Sequence, residues 1–374
     1  MLRTLTAGES HGKRLLGIIE GLPAGLPLSP EDISSVLRRR RGGYGRGERM
    51  DMERDEVEIL SGLYSGRTTG APLALSLPNL GGEVEQDPWV PRPGHGELAG
   101  FLKYGLPDLV PARERASARE TAIRTALGAV AERLLAEFGI EVMGYVVSLG
   151  GRWVPKFPTG QRELRQRVLS SAFFLPQPEL DDEFKKLVDE VKERGDTLGG
   201  VFEVRAIGVP PGLGSYVHGD RRLDVRLAAA IVSINGVKAV EIGEGVKGAG
   251  LPGSEFQDEI LFDDRIRRKT NRAGGVEGGV SNGEEIIIRG YMKPIPTLRR
   301  SLTSLNLLNL EETPAPYMRS DILAVPAASV IAEAVTCLVL ADCFMEKFGG
   351  DTIEDMLASY QKYLERIGRL WKKE

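Results

Sequence analysis

The chain has 374 residues, of which 41% are apolar and 27% charged, and a formal net charge of −4. That balance is typical of a soluble globular protein with a sizeable core, one large domain or two ordinary ones. It argues against a general nucleic-acid or membrane-surface binder. No run reads as transmembrane, and the opening M-L-R-T-L-T-A-G lacks the apolar core of a signal peptide, so the expected compartment is the cytoplasm. Cys337 and Cys343 lie six residues apart in one apolar helical stretch and read as buried reduced thiols. No His or Cys pair has metal-ligand spacing, so no metal is expected.

In chain order, I-I-E-G-L-P-A-G-L (18–26) follows a strand-like run and leads into a helix predicted over 30–40. Strand-like residues return at 57–60, and G-R-T-T-G-A-P-L from Gly66 is a turn entering an apolar strand. A long helix is predicted over 117–138, ending in L-A-E-F-G, with glycine as its C-terminal stop. The segment 155–197 is charged and helix-like and reads as a surface excursion. The first pattern then recurs: A-I-G-V-P-P-G-L (206–213), a helix over 222–234, and the turn G-V-S-N-G-E-E-I from Gly279. A second long helix is predicted over 327–348, ending in M-E-K-F-G. Both long helices are apolar on most faces, as helices buried between sheets are. The expected fold is α+β, with helices sandwiched between antiparallel β-sheets. Two similar halves, about 1–150 and 200–350, share the core of a single domain spanning 1–374.

Histidine occurs three times, and two of the three sit on glycine turns: His11 in G-E-S-H-G and His95 in R-P-G-H-G. Imidazole exchanges protons near neutral pH, and a tight loop brings it to a reacting group. His218, in S-Y-V-H-G-D, fits no catalytic pattern and reads as structural or exposed. Arginine clusters accompany the two loops: Arg38 to Arg41, Arg46, Arg49, Arg92, Arg113, Arg115, Arg119 and Arg319. A single arginine usually ends in a surface ion pair. The set as a whole, placed on glycine loops and helix starts, suits a small ligand with several anionic groups.

Other readings are weaker. R-G-G-Y-G-R-G resembles an RNA-binding segment, but it occurs once and an acidic stretch (51–58) follows it. G-E-G-V-K-G (243–248) has dinucleotide-fingerprint spacing, yet G-L-P-G follows where a helix would be needed. Ser10 and His11 are adjacent in a turn and do not form a nucleophilic dyad. Three loops suit a flat cofactor bearing a phosphate: R-A-S (115–117) before a helix capped by Ser117, K-P-I-P-T (293–297), and G-G-V-E-G-G (274–279).

Taken together, G-E-S-H-G-K-R-L-L-G-I-I-E-G-L-P, R-R-R-x-G-G-Y-G-R-G, R-P-G-H, R-A-S-A-R-E-T, S-I-N-G-V-K-A-V-E-I-G, G-G-V-E-G-G-V-S-N-G, K-P-I-P-T and R-S-D resemble the chorismate synthase family over nearly the whole chain. The resemblance implies a lyase that makes chorismate and phosphate from 5-enolpyruvylshikimate 3-phosphate by anti-1,4-elimination, needing reduced FMN without net redox change. It implies a cytoplasmic homotetramer that acts on a small anionic substrate, with no nucleic acid or membrane partner. By motif position, His11 would serve the leaving phosphate, His95 the protonation of the flavin, and Asp321 proton removal at flavin N5. FMN contacts fall on Arg115, Ala116, Ser117, Asn235, Gly236, Gly278, Lys293, Pro294, Ile295, Pro296, Thr297 and Arg319. Substrate contacts fall on Arg40, Arg46, Arg49, Arg92 and Arg119. Arg40 and Arg46 also match positions that bind a nicotinamide nucleotide in the family, which makes NADPH a candidate reductant. The absence of a separate reductase segment favours dependence on an outside source of reduced flavin.

Overall fold

The computed structural model describes residues 1–46, 55–79, 87–155, 160–263, 265–317 and 321–370. Two antiparallel sheets carry the architecture. The first contains β1 (Arg3–Ala7), β2 (Arg14–Glu20), β3 (Glu58–Ser61) and β4 (Leu73–Pro78), in the order β1-β2-β4-β3. The second contains β5 (Glu141–Leu149), β6 (Arg152–Trp153), β7 (Gly200–Ile207), β8 (Val237–Ile242) and β9 (Ile286–Met292), in the order β8-β9-β7-β5-β6. Strand β2 strictly alternates exposed and buried residues, the mark of a sheet with one face on the core.

Helix α1 (Pro30–Arg41) starts where the sequence places it. Ser29 and Asp32 form a reciprocal capping box, and Pro30 occupies the first turn. Two long helices form the centre, α4 (Thr121–Ala136) and α8 (Val325–Phe348), and a shorter helix, α7 (Leu223–Val232), precedes β8. Ser117 caps the turn Ala118–Glu120 that leads into α4. Glycines set the spacing between layers. A Cβ on Gly17 of β2 would sit 2.7 Å from Ile123 of α4. One on Gly128 of α4 would sit 2.4 Å from Ala334 of α8, and one on Gly144 of β5 would sit 2.0 Å from the Ser329 carbonyl oxygen of α8. Such approaches are open only to glycine.

By length and composition α8 could cross a membrane, which the sequence reading did not anticipate; 83% of its most apolar stretch is buried inside the protein. Its composition is therefore that of a core helix. Cys337 and Cys343 are buried and unbridged within it. The segment expected as a surface excursion is anchored. Its helices α5 (Gln161–Ser170) and α6 (Asp181–Glu193) bury Leu164, Val168, Phe184 and Val188, and Phe173 packs on Tyr44 at 5.3 Å between ring centres. That packing holds the glycine loop 42–46 at the end of α1.

Candidate functional site

Loop 8–12 turns between β1 and β2 because Gly8 takes a left-handed φ of 112°, where a Cβ would meet the Arg14 carbonyl oxygen at 2.5 Å. The turn presents His11 to helix α3 (Val110–Arg115). Glu114 there lies 2.9 Å from the His11 Nδ1 through either carboxylate oxygen, and its Oε2 also accepts the His11 backbone N–H at 2.7 Å. The Ser10 N–H donates to the Glu114 carbonyl at 3.2 Å, and Ser117 Oγ donates to Ser10 Oγ at 3.2 Å. The middle of the loop is thereby docked on the end of this helix and on Ser117 just beyond it.

His95 lies beyond the neighbouring residue of that helix. Arg113 donates to Glu97 Oε2 at 2.5 Å, and Glu97 also holds the backbone and side chain of Arg92. Glu97 opens α2 (Glu97–Tyr104) and is fully buried. Burial opposes its charge, yet hydrogen bonds and attraction from Arg92, joined by Arg113, hold its carboxyl below the usual range. His95 Nδ1 is 3.7 Å from Glu97 Oε2, too far for a hydrogen bond, and is a buried atom with no hydrogen-bond partner. Burial first, then Arg92, with Arg113 and Lys293 adding, pushes the imidazole down to about 4 against the pull of Glu97. At neutral pH it is uncharged.

A closed ring of contacts ties this loop to three of the predicted cofactor segments. Lys293 Nζ donates to the Gly94 carbonyl at 2.6 Å, and its backbone N–H donates to Gly236 at 2.9 Å. Asn235 Nδ2 donates to the Ala116 carbonyl at 3.1 Å, and a Cβ on Gly96 would touch Ala116 at 3.2 Å. Arg92 reaches Thr297 Oγ1 at 3.4 Å, and Thr197 Oγ1 donates to Ile295 at 2.7 Å, which fixes the loop around Pro294 and Pro296. Arg115 is exposed and donates to Thr6 Oγ1 at 3.3 Å.

The remaining arginines are grouped by carboxylates. Asp55, 2% exposed, pairs with Arg119 at 2.6 Å and Arg40 at 3.7 Å. Arg119 also donates to Asn79 at 2.9 Å, and Asn79 in turn holds the carbonyls of Glu9 and Gly12. This second arginine cluster therefore supports the His11 loop from behind. Asp321 pairs with Arg46 at 2.7 Å, beside the contact between Ile322 and Gly45. Gly278 is not joined to the ring by these contacts; it sits in the turn between Val276–Glu277 and Val280–Ser281, where Gly279 packs on Arg222. Arg49 and Arg319 lie outside the described residues. The sequence reading missed Asp55, Asn79, Glu97 and Glu114. Alternating charges such as R-E-R resemble a solvated helix face, and nothing local marks these three carboxylates and one amide as partners of distant loops.

Residues 2–345 match the family model described as chorismate synthase. Similar proteins include chorismate synthases of Desulforudis audaxviator (strain MP104C), 50% identical, and Aquifex aeolicus (strain VF5), 47% identical; each match covers 98% of both chains. A solved crystal structure of a chorismate synthase superposes with a TM-score of 0.82 at 42% identity, covering 98% of both chains.

Proposed function

The chain belongs to the chorismate synthase family, and from that membership we propose which of its residues perform the reaction. The enzyme is a carbon–oxygen lyase that forms chorismate by loss of phosphate from 5-enolpyruvylshikimate 3-phosphate in the shikimate pathway. In our reading one catalytic domain, helices sandwiched between the two sheets, carries this out with reduced FMN bound beside His95. Two features support the duplicated halves. The strand before each glycine-proline turn pairs with the strand after the later glycine turn: β2 with β4, and β7 with β9. Strand β5 of the first half joins the second sheet, so the halves share a core.

One observation carries the assignment of roles: two imidazoles in opposite surroundings are tied to neighbouring residues of α3, His11 to Glu114 and His95 to the cluster containing Arg113. His11, with a carboxylate on Nδ1, is suited to hold a proton and give it from Nε2 to the departing phosphate. Meeting the leaving group's negative charge lowers the barrier to its departure. His95, uncharged among three cations, is suited to accept or relay a proton. The ring of contacts around it, Lys293, the Ala116 and Gly236 carbonyls and the Asn235 side-chain amide, supplies polar groups suited to the edge of a flavin. Ser117, Arg115, Gly278, the 293–297 loop and Arg319 complete that set. Reduced flavin, when bound, supplies the electron-rich ring that makes phosphate loss possible. Arg92 and the pairs Arg40–Arg119 and Arg46–Asp321, with Arg49, would orient the substrate's two carboxylates and phosphate. Their anchoring carboxylates fix the guanidinium forks in advance. Asp321 would assist proton transfer at the flavin.

We assign Arg40 and Arg46 to the anionic substrate before a nicotinamide nucleotide, with reduced flavin supplied from outside. The homotetramer and a cytoplasmic location belong to the same reading. Leu5, Leu16, Ile18 and Leu60 stand exposed on the first sheet, and such apolar surface supports self-association. Anaerobic assay with chemically reduced FMN should release phosphate without added NADPH, and oxidised FMN alone should release none. Turnover with oxidised FMN and no reductant would refute the flavin role.

A further inference from the structure

We propose that Glu114 is a positioning residue for His11, holding its imidazole as the Nδ1–H form so that Nε2 is the atom that meets the departing phosphate. The inference rests on the reading of His11 as the donor to that phosphate. An ionised carboxylate only accepts hydrogen bonds, so a proton must lie on Nδ1 to satisfy the 2.9 Å contacts to Glu114. The ring then has a single atom, Nε2, through which a proton can pass.

Three further features make this a built arrangement. Glu114 Oε2 also takes the His11 backbone N–H, so one carboxylate fixes both the backbone and the ring of the same residue. The histidine and glutamate side chains are 16% and 17% exposed, which keeps water from competing for the contact. Arg113, one residue earlier, is locked to Glu97 at 2.5 Å, so the short helix that carries Glu114 is held through a second, independent contact. A carboxylate that orients an imidazole and stabilises its cation is a general device of acid–base catalysis, recognised by geometry. Here the two partners are 103 residues apart in sequence, which is why the pair cannot be read from either loop.

The test uses the full-length protein labelled with 15N only at histidine. With three histidines in the chain, single substitutions assign every ring signal in a solid-state spectrum. At a pH where His11 is neutral, the unmodified protein should show the His11 proton on Nδ1. Glu114→Ala should move that population toward Nε2–H, whereas Glu114→Gln, whose amide oxygen still accepts, should retain Nδ1–H. Turnover should fall about a hundredfold in Glu114→Ala, with KM changed far less, and fall less in Glu114→Gln. Adding Glu114→Ala to His11→Ala should cost nothing further, because a residue acting through another has no effect once that partner is gone.

A His11 spectrum unaltered by Glu114→Ala, or a full additional loss in the double variant, would overturn the positioning role and leave the donor reading intact. Undiminished turnover in His11→Ala would overturn the donor reading and the proposal with it.

Discussion

At position 95, three cationic side chains and burial act on one imidazole, and the result is measurable without substrate. The folded protein holds His95 near 4, whereas an unfolded chain titrates near 6.5. Between those values the unfolded state takes up a proton that the folded state refuses, so this residue lowers stability as pH falls from about 6.5 to 4. The whole effect is about 3 kcal/mol. Denaturant unfolding at stepped pH should show that loss in the unmodified protein and a smaller slope in His95→Gln. An equal slope in both would mean that burial and the surrounding cations do not hold His95 below its ordinary value. His95 and His11 were legible as candidates from rarity and glycine flanks alone. What set them apart was not, because Glu97 and Glu114 gain meaning only when α2 and α3 fold against the loops.

Helices α4 and α8 were legible because their apolar residues cover most of each surface and each has a glycine stop. The observed bounds, Thr121–Ala136 and Val325–Phe348, fall within a few residues of expectation. How closely they approach the sheets was not legible, since a glycine in a strand reads the same whether it faces a helix or solvent. Gly144 faces the Ser329 carbonyl, and its N–H donates to Glu333 at 2.9 Å. Gly144→Ala should therefore force β5 and α8 apart and cost about 1–3 kcal/mol or more. Gly368→Ala, in the final helix where a Cβ meets open space, should be neutral or stabilising by under about 1 kcal/mol. Equal thermal midpoints for the two variants would contradict the tight layer contact.

At the scale of the whole molecule, one cluster of buried charge lies where the layers meet. Glu333 of α8, fully buried, forms a bidentate pair with Arg39 of α1, and Glu132 of α4 lies in the same cluster with Arg165 and Cys337. Burial, then repulsion from Glu333, raises Glu132 to about 7. The folded state thus keeps a proton that the unfolded state releases above about 4.5, so this group's contribution is present in acid and lost as pH rises toward 7. It opposes the His95 effect over the shared window. Glu132→Gln should remove it, leaving a protein whose stability rises more steeply between pH 5 and 7 than that of the unmodified chain. A shallower rise would place the proton elsewhere in the cluster.

The central claim is that His11, at the departing phosphate, and His95, at the flavin, serve one reaction and are tied to adjacent residues of α3. Chorismate formation under anaerobic conditions with reduced FMN, measured for the unmodified enzyme, His11→Ala and His95→Ala, tests it most directly. Each substitution should lower turnover by about a hundred- to ten-thousandfold while circular dichroism and thermal midpoint stay close to those of the parent. Turnover at the parent rate in both variants would contradict it.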